Sequence, residues 1–589
     1  MAGLASALAT YCVNTSYKAI SDVRVSIENP DCGCERKCIR KLGKAELGMY
    51  YYSEFSDGTI GCVVRLSSQQ DLKNSAWRTK FADVIQSYPI LNMGIGPCET
   101  SSAAVTENMK DETLYFKQLS TPEVLKQLIR FHRDKHSFPS ITELLHHSFS
   151  RQTRQPNTVA ANSNSSSSCR SSVLWRVHVL HEYDSDRNMH YYTLGICFSH
   201  CIVDGTSTAI LLQHLLASLN GNISSISSSS SIPPPIEKQV AFTYLPWPVE
   251  QISDVAIKAI IRTRLKPWTY IGSMRKYLKA FPPPIIPEEG AEDDTHEENG
   301  AVSSGGVSSF QTSSHPSSQS SVCALPELEK RETVVKVLKL SQKETAYFLR
   351  RCKQQSCSVT AALLTAASLA MSSLVQGGNL VQNVEILTDV TVDLRKYMVR
   401  EASRKGTGDK EAEEFARQVF CATPLATITV KSSLGKINNK ALFKNFWFKA
   451  RLASLSIESR MKSGEVLRSW NLRQKLFCDR DSASTLMRMA LNDAEGFGRY
   501  HHLLLTNLGN VDISTCSNPS SGGVCLEDIQ FGVSGTVLGN IFMNYVATIN
   551  GQLIWNMCYF DHITHHTDAE TFISLVRDTI VRFAIAPLK

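Results

Sequence analysis

Long apolar runs are scarce in this sequence of 589 residues. No stretch approaches the roughly 20 consecutive apolar residues that a membrane-spanning helix requires. Residues 1–13 include no Lys or Arg, although a secretory signal peptide begins with a positively charged region. We therefore expect a soluble cytoplasmic protein, and we expect it to act as a monomer.

The chain also lacks the cysteine pattern of a disulfide framework. Its 17 cysteines are odd in number and scattered along the whole sequence, unlike the cysteines of small secreted domains. The densest group, Cys32, Cys34 and Cys38, has no second CxxC or HxxxH pattern nearby that would complete a set of four metal ligands. We therefore predict reduced thiols and no bound metal.

Basic residues form no stripe interleaved with aromatic residues, so the sequence does not favour nucleic acid as a partner. The net charge is +7, but residues 287–300 contain seven acidic side chains and neither Lys nor Arg. Without those seven charges the rest of the chain carries +14. A basic surface suits an anionic ligand, and the phosphates of a coenzyme A would qualify.

Three segments of low complexity divide the chain. Residues 152–172 and 220–235 are rich in Ser, and residues 282–326 are first acidic and then rich in Ser and Gly. Such compositions cannot bury enough apolar surface to offset the entropy cost of ordering. We interpret the first two as loop insertions and the third as a crossover between two lobes. The resulting boundaries are an N-terminal segment at 1–42, a first lobe at 43–281 and a second lobe at 327–589.

The end of the first lobe, residues 255–281, carries seven basic residues among apolar ones and allows two interpretations. One is a helix that lies on a membrane surface and gives the protein peripheral contact with lipid. The other, which we favour, is a pair of amphipathic helices that pack on the lobe and are interrupted at Pro267.

Hydrophobic periodicity and turn residues predict helices and strands in both lobes. For the first lobe they predict strands at 49–55 and 59–66, a helix at 68–87, a hairpin of strands 173–182 and 190–198, and a helix at 206–219. For the second lobe they predict a strand at 332–340, helices at 341–355 and 359–374, a strand at 384–394, a hairpin of strands 545–549 and 552–560, and a helix at 568–583.

The most informative stretch is the turn after the strand at 190–198, with the sequence Ser199-His200-Cys201-Ile202-Val203-Asp204-Gly205. A His at the end of a buried strand is held in a fixed position, and its ordinary pKa of about 6.5 suits a base near neutrality. HxxxD alone favours a simpler interpretation, a structural His followed by an Asp that caps the next helix. The buried strand, Gly205 and the amphipathic helix together favour a catalytic base.

This combination resembles the HHxxxDG motif of the chloramphenicol acetyltransferase-like superfamily of HxxxD acyltransferases. Four other segments resemble that superfamily in the expected order: Gln86-Ser87-Tyr88-Pro89-Ile90-Leu91, residues 359–374, Val392-Asp393-Leu394-Arg395 and Leu505-Thr506-Asn507-Leu508-Gly509. Alcohol acetyltransferases are the most similar branch, followed by condensation-domain-like proteins. Two departures are Ser199 in place of the first His of the motif, and Gln530-Phe531-Gly532-Val533-Ser534 where plant enzymes have Asp-Phe-Gly-Trp-Gly.

The resemblance implies an α/β fold of two lobes, each a mixed sheet flanked by helices, with the active-site channel between them. It implies an acyltransferase that uses acyl-CoA as co-substrate and an alcohol or amine as acceptor, in a ternary complex. His200 would be the general base. Asp204 would turn away from His200 and pair with Arg395, and Gly205 would give the turn its backbone freedom.

Thr506 and Asn507 are candidates for stabilising the oxyanion that forms during acyl transfer. The alternative for this pair is simply a polar strand end. Two other functions use the same fold: a condensation-type enzyme that makes an amide from carrier-bound acyl groups, and a non-catalytic binding protein.

Overall fold

The computed structural model describes residues 38–55, 58–97, 113–132, 140–149, 173–221, 233, 332–375, 384–395, 397, 418–422, 426–434, 439–467, 470, 480–491, 498–513 and 523–585. Several sequence predictions lie outside these ranges. They are the insertion at 152–172, most of the insertion at 220–235, the basic segment at 255–281, the crossover at 282–326, and Cys32 and Cys34.

The N-terminal half of the chain forms seven strands and five helices within the described residues, apart from one short 3-10 turn. The strands are β1 (Cys38–Lys41), β2 (Thr59–Ser68), β3 (Met93–Pro97), β4 (Leu114–Gln118), β5 (Ile129–His132), β6 (Trp175–Asp184) and β7 (Met189–Ser199). The helices are α1 (Lys44–Phe55), α2 (Asn74–Ser87), α3 (Thr121–Leu128), α4 (Ile141–Phe149) and α5 (Gly205–Leu219).

The C-terminal half contributes a further seven strands and five α-helices within the described residues, and a π-helical turn follows the last helix. The strands are β8 (Thr333–Lys339), β9 (Val384–Thr391), β10 (Thr427–Leu434), β11 (Arg499–Val511), β12 (Cys525–Val533), β13 (Gly539–Ile549) and β14 (Gln552–Phe560). The helices are α6 (Gln342–Gln354), α7 (Val359–Val375), α8 (Asn439–Lys462), α9 (Arg480–Leu491) and α10 (His566–Ile580).

Two mixed sheets carry the two lobes, as the resemblance implied. The first has the order β12-β2-β7-β6-β5 and the second the order β10-β9-β11-β13-β14-β8, and a small antiparallel sheet β1-β4-β3 lies beside the first. Strand β12 belongs to the second half of the sequence but pairs with β2 of the first sheet. The predicted start of the second lobe at residue 327 therefore does not separate the two sheets. Strand β12 follows that boundary in the sequence but joins the sheet that carries β7.

Most predicted elements are present, including the hairpins β6–β7 and β13–β14, but the predicted pairing of 49–55 with 59–66 is not. The hairpin β13–β14 turns at Asn550 and Gly551, which have φ of +48° and +80°, as a type I′ turn requires. Helix α6 begins with a capping box in which the Ser341 hydroxyl accepts from the Glu344 N–H. Helix α2 buries Trp77, Phe81, Val84 and Ile85.

The predicted strand at 49–55 is wrong, because these residues belong to helix α1. Glu46 accepts a hydrogen bond from the N–H of Gly43 at 2.8 Å, which satisfies one of the free amides at the helix start. Met49, Tyr51 and Tyr52 are buried. Side chains three apart lie on one face of a helix, so the aromatic run packs against the core without forming a strand. Helix α2 also begins at Asn74, six residues after the predicted start, because β2 continues to Ser68.

None of the described helices has by itself the length and apolar character of a membrane span. Helices α6 and α7 meet that criterion only when taken together, across a bend of 105°.

Candidate active site

His200 lies immediately after β7, the central strand of its five-stranded sheet. Strand β7 is hydrogen-bonded to β2 on one side and to β6 on the other, and its residues from Tyr192 to Phe198 are buried. The turn that follows is closed by a hydrogen bond from the N–H of Ile202 to the carbonyl of Ser199, at 3.2 Å. A well-anchored strand and a closed turn together hold the imidazole of His200 at the end of the sheet.

The hydrogen bonding of His200 fixes its tautomer. Nδ1 lies 3.0 Å from the carbonyl oxygen of Val203. A carbonyl oxygen only accepts, so Nδ1 carries the proton and donates it, and Nε2 of the neutral ring keeps a free lone pair. Nε2 has no hydrogen-bond partner among the described residues, and His200 lines a cavity. This arrangement makes Nε2 available as a base.

The environment of His200 favours the neutral ring. Burial lowers the pKa of His200, and its backbone hydrogen bonds and the charge of Asp204 offset only part of that effect. A histidine whose pKa lies below its ordinary value of about 6.5 is neutral at pH 7 and can accept a proton.

Asp204 faces away from His200 and is completely buried. Its Oδ1 accepts from the N–H of Ser207 at 2.8 Å and caps helix α5. Its Oδ2 accepts from Nη1 of Arg395 at 2.7 Å and from the N–H of Ala422 at 2.8 Å. Burial acts to raise the pKa of Asp204, but Arg395 and the two amides hold that pKa below its ordinary value. The contact between Asp204 and Arg395 that the resemblance implied is present. It is an ion pair that joins the turn after His200 to the segment after strand β9.

A short segment that the sequence did not indicate completes this ion pair. The guanidinium Nη2 of Arg395 donates to the carbonyl of Phe420 at 3.0 Å and to the hydroxyl of Ser207 at 2.8 Å. The Ser207 hydroxyl donates to the same carbonyl and accepts from the N–H of Phe420. The Phe420 ring lies 4.5 Å from the guanidinium carbon. Residues 418–422 have no local pattern that would have revealed this role.

Gly205 has a different structural role from the predicted one. Its φ is not in the left-handed region, so backbone freedom does not explain it. A Cβ at this position would lie 2.7 Å from Cδ2 of Leu508, on strand β11 of the second sheet. Gly205 therefore lets strand β11 approach the start of helix α5 closely. Leu508 belongs to one of the segments that resemble the superfamily. Its contact with position 205 could not be predicted from the local sequence pattern.

The two candidates for oxyanion stabilisation, Thr506 and Asn507, point in different directions. Thr506 lines the same cavity as His200. The amide of Asn507 donates to the hydroxyl of Thr360 at 3.0 Å and accepts from the N–H of Gly509 at 2.9 Å. Side chains alternate along a strand, so only one of two neighbours can face the cavity. Thr506 remains a candidate, and Asn507 connects strand β11 to the start of helix α7.

The cavity lies between the two sheets and has a volume of about 180 Å³. Given that one water needs about 10–15 Å³ on this scale, it has room for a small organic molecule. Most of its wall is apolar, and none of the described residues that line it is Asp, Glu, Lys or Arg. The principal apolar side chains are Ile60, Leu212, Leu504, Leu508, Phe531 and Met543.

Polar groups of the cavity wall are anchored to the protein behind them. Asn540 lines the cavity and donates to Oδ2 of the buried Asp389 at 3.1 Å. Asp389 also accepts from Thr429 at 2.7 Å and lies 2.8 Å from Nδ1 of His501. This buried carboxylate network was not predicted, and it holds the amide of Asn540 in one orientation.

Neither cysteine near His200 has the properties of a nucleophile. Burial raises the pKa of Cys201 to about 12, so its thiol remains protonated at neutral pH. The Cys421 sulfur lies 3.5 Å from Nδ1 of His200, the nitrogen that already donates to Val203. Cys421 is buried and is not among the residues that line the cavity.

Comparison with known proteins finds solved structures of similar fold. The structure of the trichothecene 15-O-acetyltransferase TRI3 from Fusarium sporotrichioides has 12% sequence identity and a TM-score of 0.54, and the match covers 92% of this chain and 95% of that one. The epimerization domain from the third module of tyrocidine synthetase B has 12% identity and a TM-score of 0.47, with 92% and 97% covered. The condensation domain from the Monacolin K polyketide synthase MokA has 8% identity and a TM-score of 0.47, with 93% and 97% covered.

The likeness to TRI3, at a TM-score of 0.54, shows that the two chains share one fold. A family model described as alcohol acetyltransferase matches residues 136–580, which is most of the chain. The chain belongs to the alcohol acetyltransferase family, and this membership supports an acyltransferase activity. No sequence among the curated proteins matches this chain.

Proposed function

We propose that this protein transfers an acyl group from acyl-CoA to the hydroxyl of a small alcohol, with His200 as the general base. The observation that carries the proposal is the tautomer of His200. The hydrogen bond from Nδ1 to Val203 leaves the lone pair of Nε2 free, and His200 lines the cavity.

In the proposed reaction, Nε2 of His200 accepts the proton of the acceptor hydroxyl while the hydroxyl oxygen forms a bond to the thioester carbonyl carbon. The carbonyl oxygen becomes negatively charged, and the Thr506 hydroxyl is the candidate donor that stabilises it. The carbon–sulfur bond then breaks. The thiolate leaves and takes the proton from the imidazolium, which restores neutral His200 and releases free coenzyme A.

The absence of charge among the described residues of the cavity wall favours an alcohol over an amine. An aliphatic amine is protonated near pH 7, since its pKa is about 10. Its charge would have to be lost on entering an apolar cavity with no described carboxylate to meet it. A neutral alcohol enters without that cost, and its apolar part contacts side chains such as Leu504 and Phe531.

The absence of charged residues from the described cavity wall also limits how acyl-CoA binds. None of the described residues that line the cavity is Lys or Arg, so nothing in that part of the wall offers a counter-ion to the phosphates of coenzyme A. We propose that the acyl group and its thioester enter the cavity while the phosphates remain outside it. Holding both substrates together accounts for a large part of the rate in such a ternary complex.

The experiment is a thiol-release assay with the full chain, acetyl-CoA and matched pairs of acceptors, such as hexanol and hexylamine. We expect release with the alcohol and much less with the amine, and a loss of on the order of 100-fold or more in the H200A variant. The H566A variant is the matched control, because His566 is exposed on helix α10 and does not line the cavity.

Three results would contradict the proposal. Thiol release by H200A at the wild-type rate would remove His200 as the base. A preference for hexylamine would indicate an amide-forming enzyme. No release with any alcohol in the wild type, together with no binding of acetyl-CoA, would indicate a binding protein of the same fold.

A further inference from the structure

We propose that Asp71, His181 and His190 form a surface site for a divalent transition-metal cation such as Zn²⁺. The two imidazole nitrogens and the carboxylate oxygen lie within 4.8 Å of one another. None of the three residues lines the cavity of His200, and this inference does not rest on the proposed function.

The register of the β6–β7 hairpin brings the two histidines together. His181 on β6 lies opposite Tyr192 on β7, and His190 lies opposite Tyr183. Residues two apart on a strand point to the same face, so all four rings project from one face of the hairpin. Nε2 of His181 lies 3.0 Å from Nδ1 of His190.

Contacts with aromatic rings hold both imidazoles in place. The ring of His181 stacks on Tyr192, at 4.7 Å between centroids, and its edge meets the edge of His190. The ring of His190 lies 4.7 Å from that of Tyr183, tilted by 36°. Ligands that are already ordered lose little conformational freedom when a cation binds, which favours affinity.

The carboxylate is positioned by a hydrogen-bonded tyrosine. The hydroxyl of Tyr192 accepts from the N–H of Leu72 at 2.6 Å and donates to Oδ1 of Asp71 at 3.0 Å. Such a partner behind a ligand is typical of metal sites, because it fixes the orientation of the ligand. No Lys or Arg among the described residues forms an ion pair with Asp71, so its charge is available to a cation.

The ligand set and the distances fit zinc. Zinc binds imidazole nitrogen at about 2.0–2.1 Å and carboxylate oxygen at about 2.0–2.2 Å, so two tetrahedral ligand atoms are separated by about 3.4 Å. The histidine nitrogens already lie 3.0 Å apart, and Oδ1 of Asp71 lies 4.0 Å from Nε2 of His181. A tetrahedral zinc ion requires the two nitrogens to separate by about 0.4 Å and Oδ1 of Asp71 to approach Nε2 of His181 by about 0.6 Å. Half of the Asp71 side chain is exposed, so this movement meets little resistance.

Proton positions change when the cation binds. Without a cation, one of the two facing nitrogens donates its proton to the other across the 3.0 Å contact. With a cation, that ring carries its proton on its other nitrogen, so that both lone pairs face the metal. A neutral imidazole is the form that binds metal.

The experiment uses the full chain stripped of metal, titrated with Zn²⁺ against a chromophoric chelator. We expect H181A and H190A each to bind one equivalent less than the wild type, and D71N to bind that equivalent at least tenfold more weakly. Zinc should also raise the Tm of the wild type by more than it raises the Tm of H190A, since the cation connects Asp71 to the hairpin. Any other thiols and histidines of the chain that bind zinc contribute equally to all variants.

The H566A variant is the matched control for loss of an exposed histidine outside the cluster, and it should keep the wild-type stoichiometry. Equal stoichiometry in wild type, H181A and H190A would overturn the site. Unchanged affinity in D71N would also overturn it, because the carboxylate would then not be a ligand.

Discussion

The carboxylate of Asp204 and the guanidinium of Arg395, 191 positions apart in the sequence, form an ion pair with a distance of 2.7 Å. The Asp204 side chain is fully buried and that of Arg395 is 4% exposed. The pair connects the turn after His200 to the segment after strand β9 of the second sheet. The aspartate of the HxxxD motif therefore acts through the position of the loop and not through a hydrogen bond to the histidine.

Removal of one partner should strongly destabilise the fold. Arg395→Ala leaves Asp204 buried without its counter-ion, and we expect the free energy of unfolding to fall by about 3–5 kcal/mol. Chemical denaturation monitored by tryptophan fluorescence measures this. The double variant with Asp204→Ala should lose less than the sum of the two single losses. As a control, Glu570→Gln breaks an exposed ion pair with Lys336 and should leave stability unchanged. A fully stable Arg395→Ala variant would contradict the role of the pair.

A methyl group at position 205 should disturb the contact between the lobes. In Gly205→Ala the new Cβ meets Leu508 at 2.7 Å, and such overpacking costs about 1–3 kcal/mol. The added Leu508→Ala substitution removes the clash and should restore most of the stability. Gly96→Ala is the control, because its Cβ would have only ordinary contacts with Lys117. If the double variant is no better than Gly205→Ala alone, Leu508 is not the reason for the glycine.

Thr506 and Asn507 should respond differently to substitution. Thr506→Val removes a hydroxyl from the cavity at nearly constant volume, and we expect kcat to fall on the order of 100-fold without loss of Tm. Asn507→Ala removes the hydrogen bonds to Thr360 and Gly509, and we expect a loss of about 1–3 kcal/mol of stability. Steady-state kinetics and thermal denaturation on both variants distinguish these effects. The reverse pattern would assign the oxyanion contact to Asn507.

The rate of acyl transfer should decline only at acidic pH. The reaction requires neutral His200, and burial lowers the pKa of this group below its ordinary value of 6.5. As pH falls through the lowered pKa, the ring becomes protonated and kcat/KM falls. A pH profile with acetyl-CoA as donor should therefore place the acid limb below pH 6.5. An acid limb above pH 6.5 would show that His200 is not shifted or is not the base.

Stability should also depend on pH, because His178 is buried as a neutral ring. Its Nδ1 lies 2.9 Å from Nε2 of His132, and burial together with the nearby histidines and arginines lowers its pKa to about 3. Above pH 6.5 both the folded and the unfolded states hold the ring neutral, so this group adds no dependence on pH. Below pH 6.5 the unfolded state binds a proton that the folded state cannot bind. The free energy of unfolding should then fall by about 1.4 kcal/mol per pH unit until the pH approaches 3.

The pH dependence of His178 can be separated from that of the whole protein by substitution. His178→Leu should reduce the slope of unfolding free energy against pH between 6.5 and 4, whatever its effect on absolute stability. Equal slopes in wild type and His178→Leu would contradict this prediction.

Local sequence pattern was sufficient where a single element determines its own structure. The capping box at Ser341, the turn at Asn550 and Gly551, and the alternation of the β6–β7 hairpin all depend on residues a few positions apart. The aromatic run of helix α1 was misassigned because aromatic residues suit strands and buried helices equally well. The residue that favours a helix there is Glu46, because its carboxylate accepts a backbone N–H at the helix start.

The sequence by itself determined the strand, the turn and the helix that present His200, because these features follow from short-range hydrogen bonds and hydrophobic periodicity. The motif resemblance added the pairing of Asp204 with Arg395. Only the tertiary structure decided which of Thr506 and Asn507 faces the cavity, why position 205 is glycine, and that residues 418–422 close around Arg395. These facts depend on the packing of one lobe against the other, which brings together residues hundreds of positions apart and leaves no local pattern.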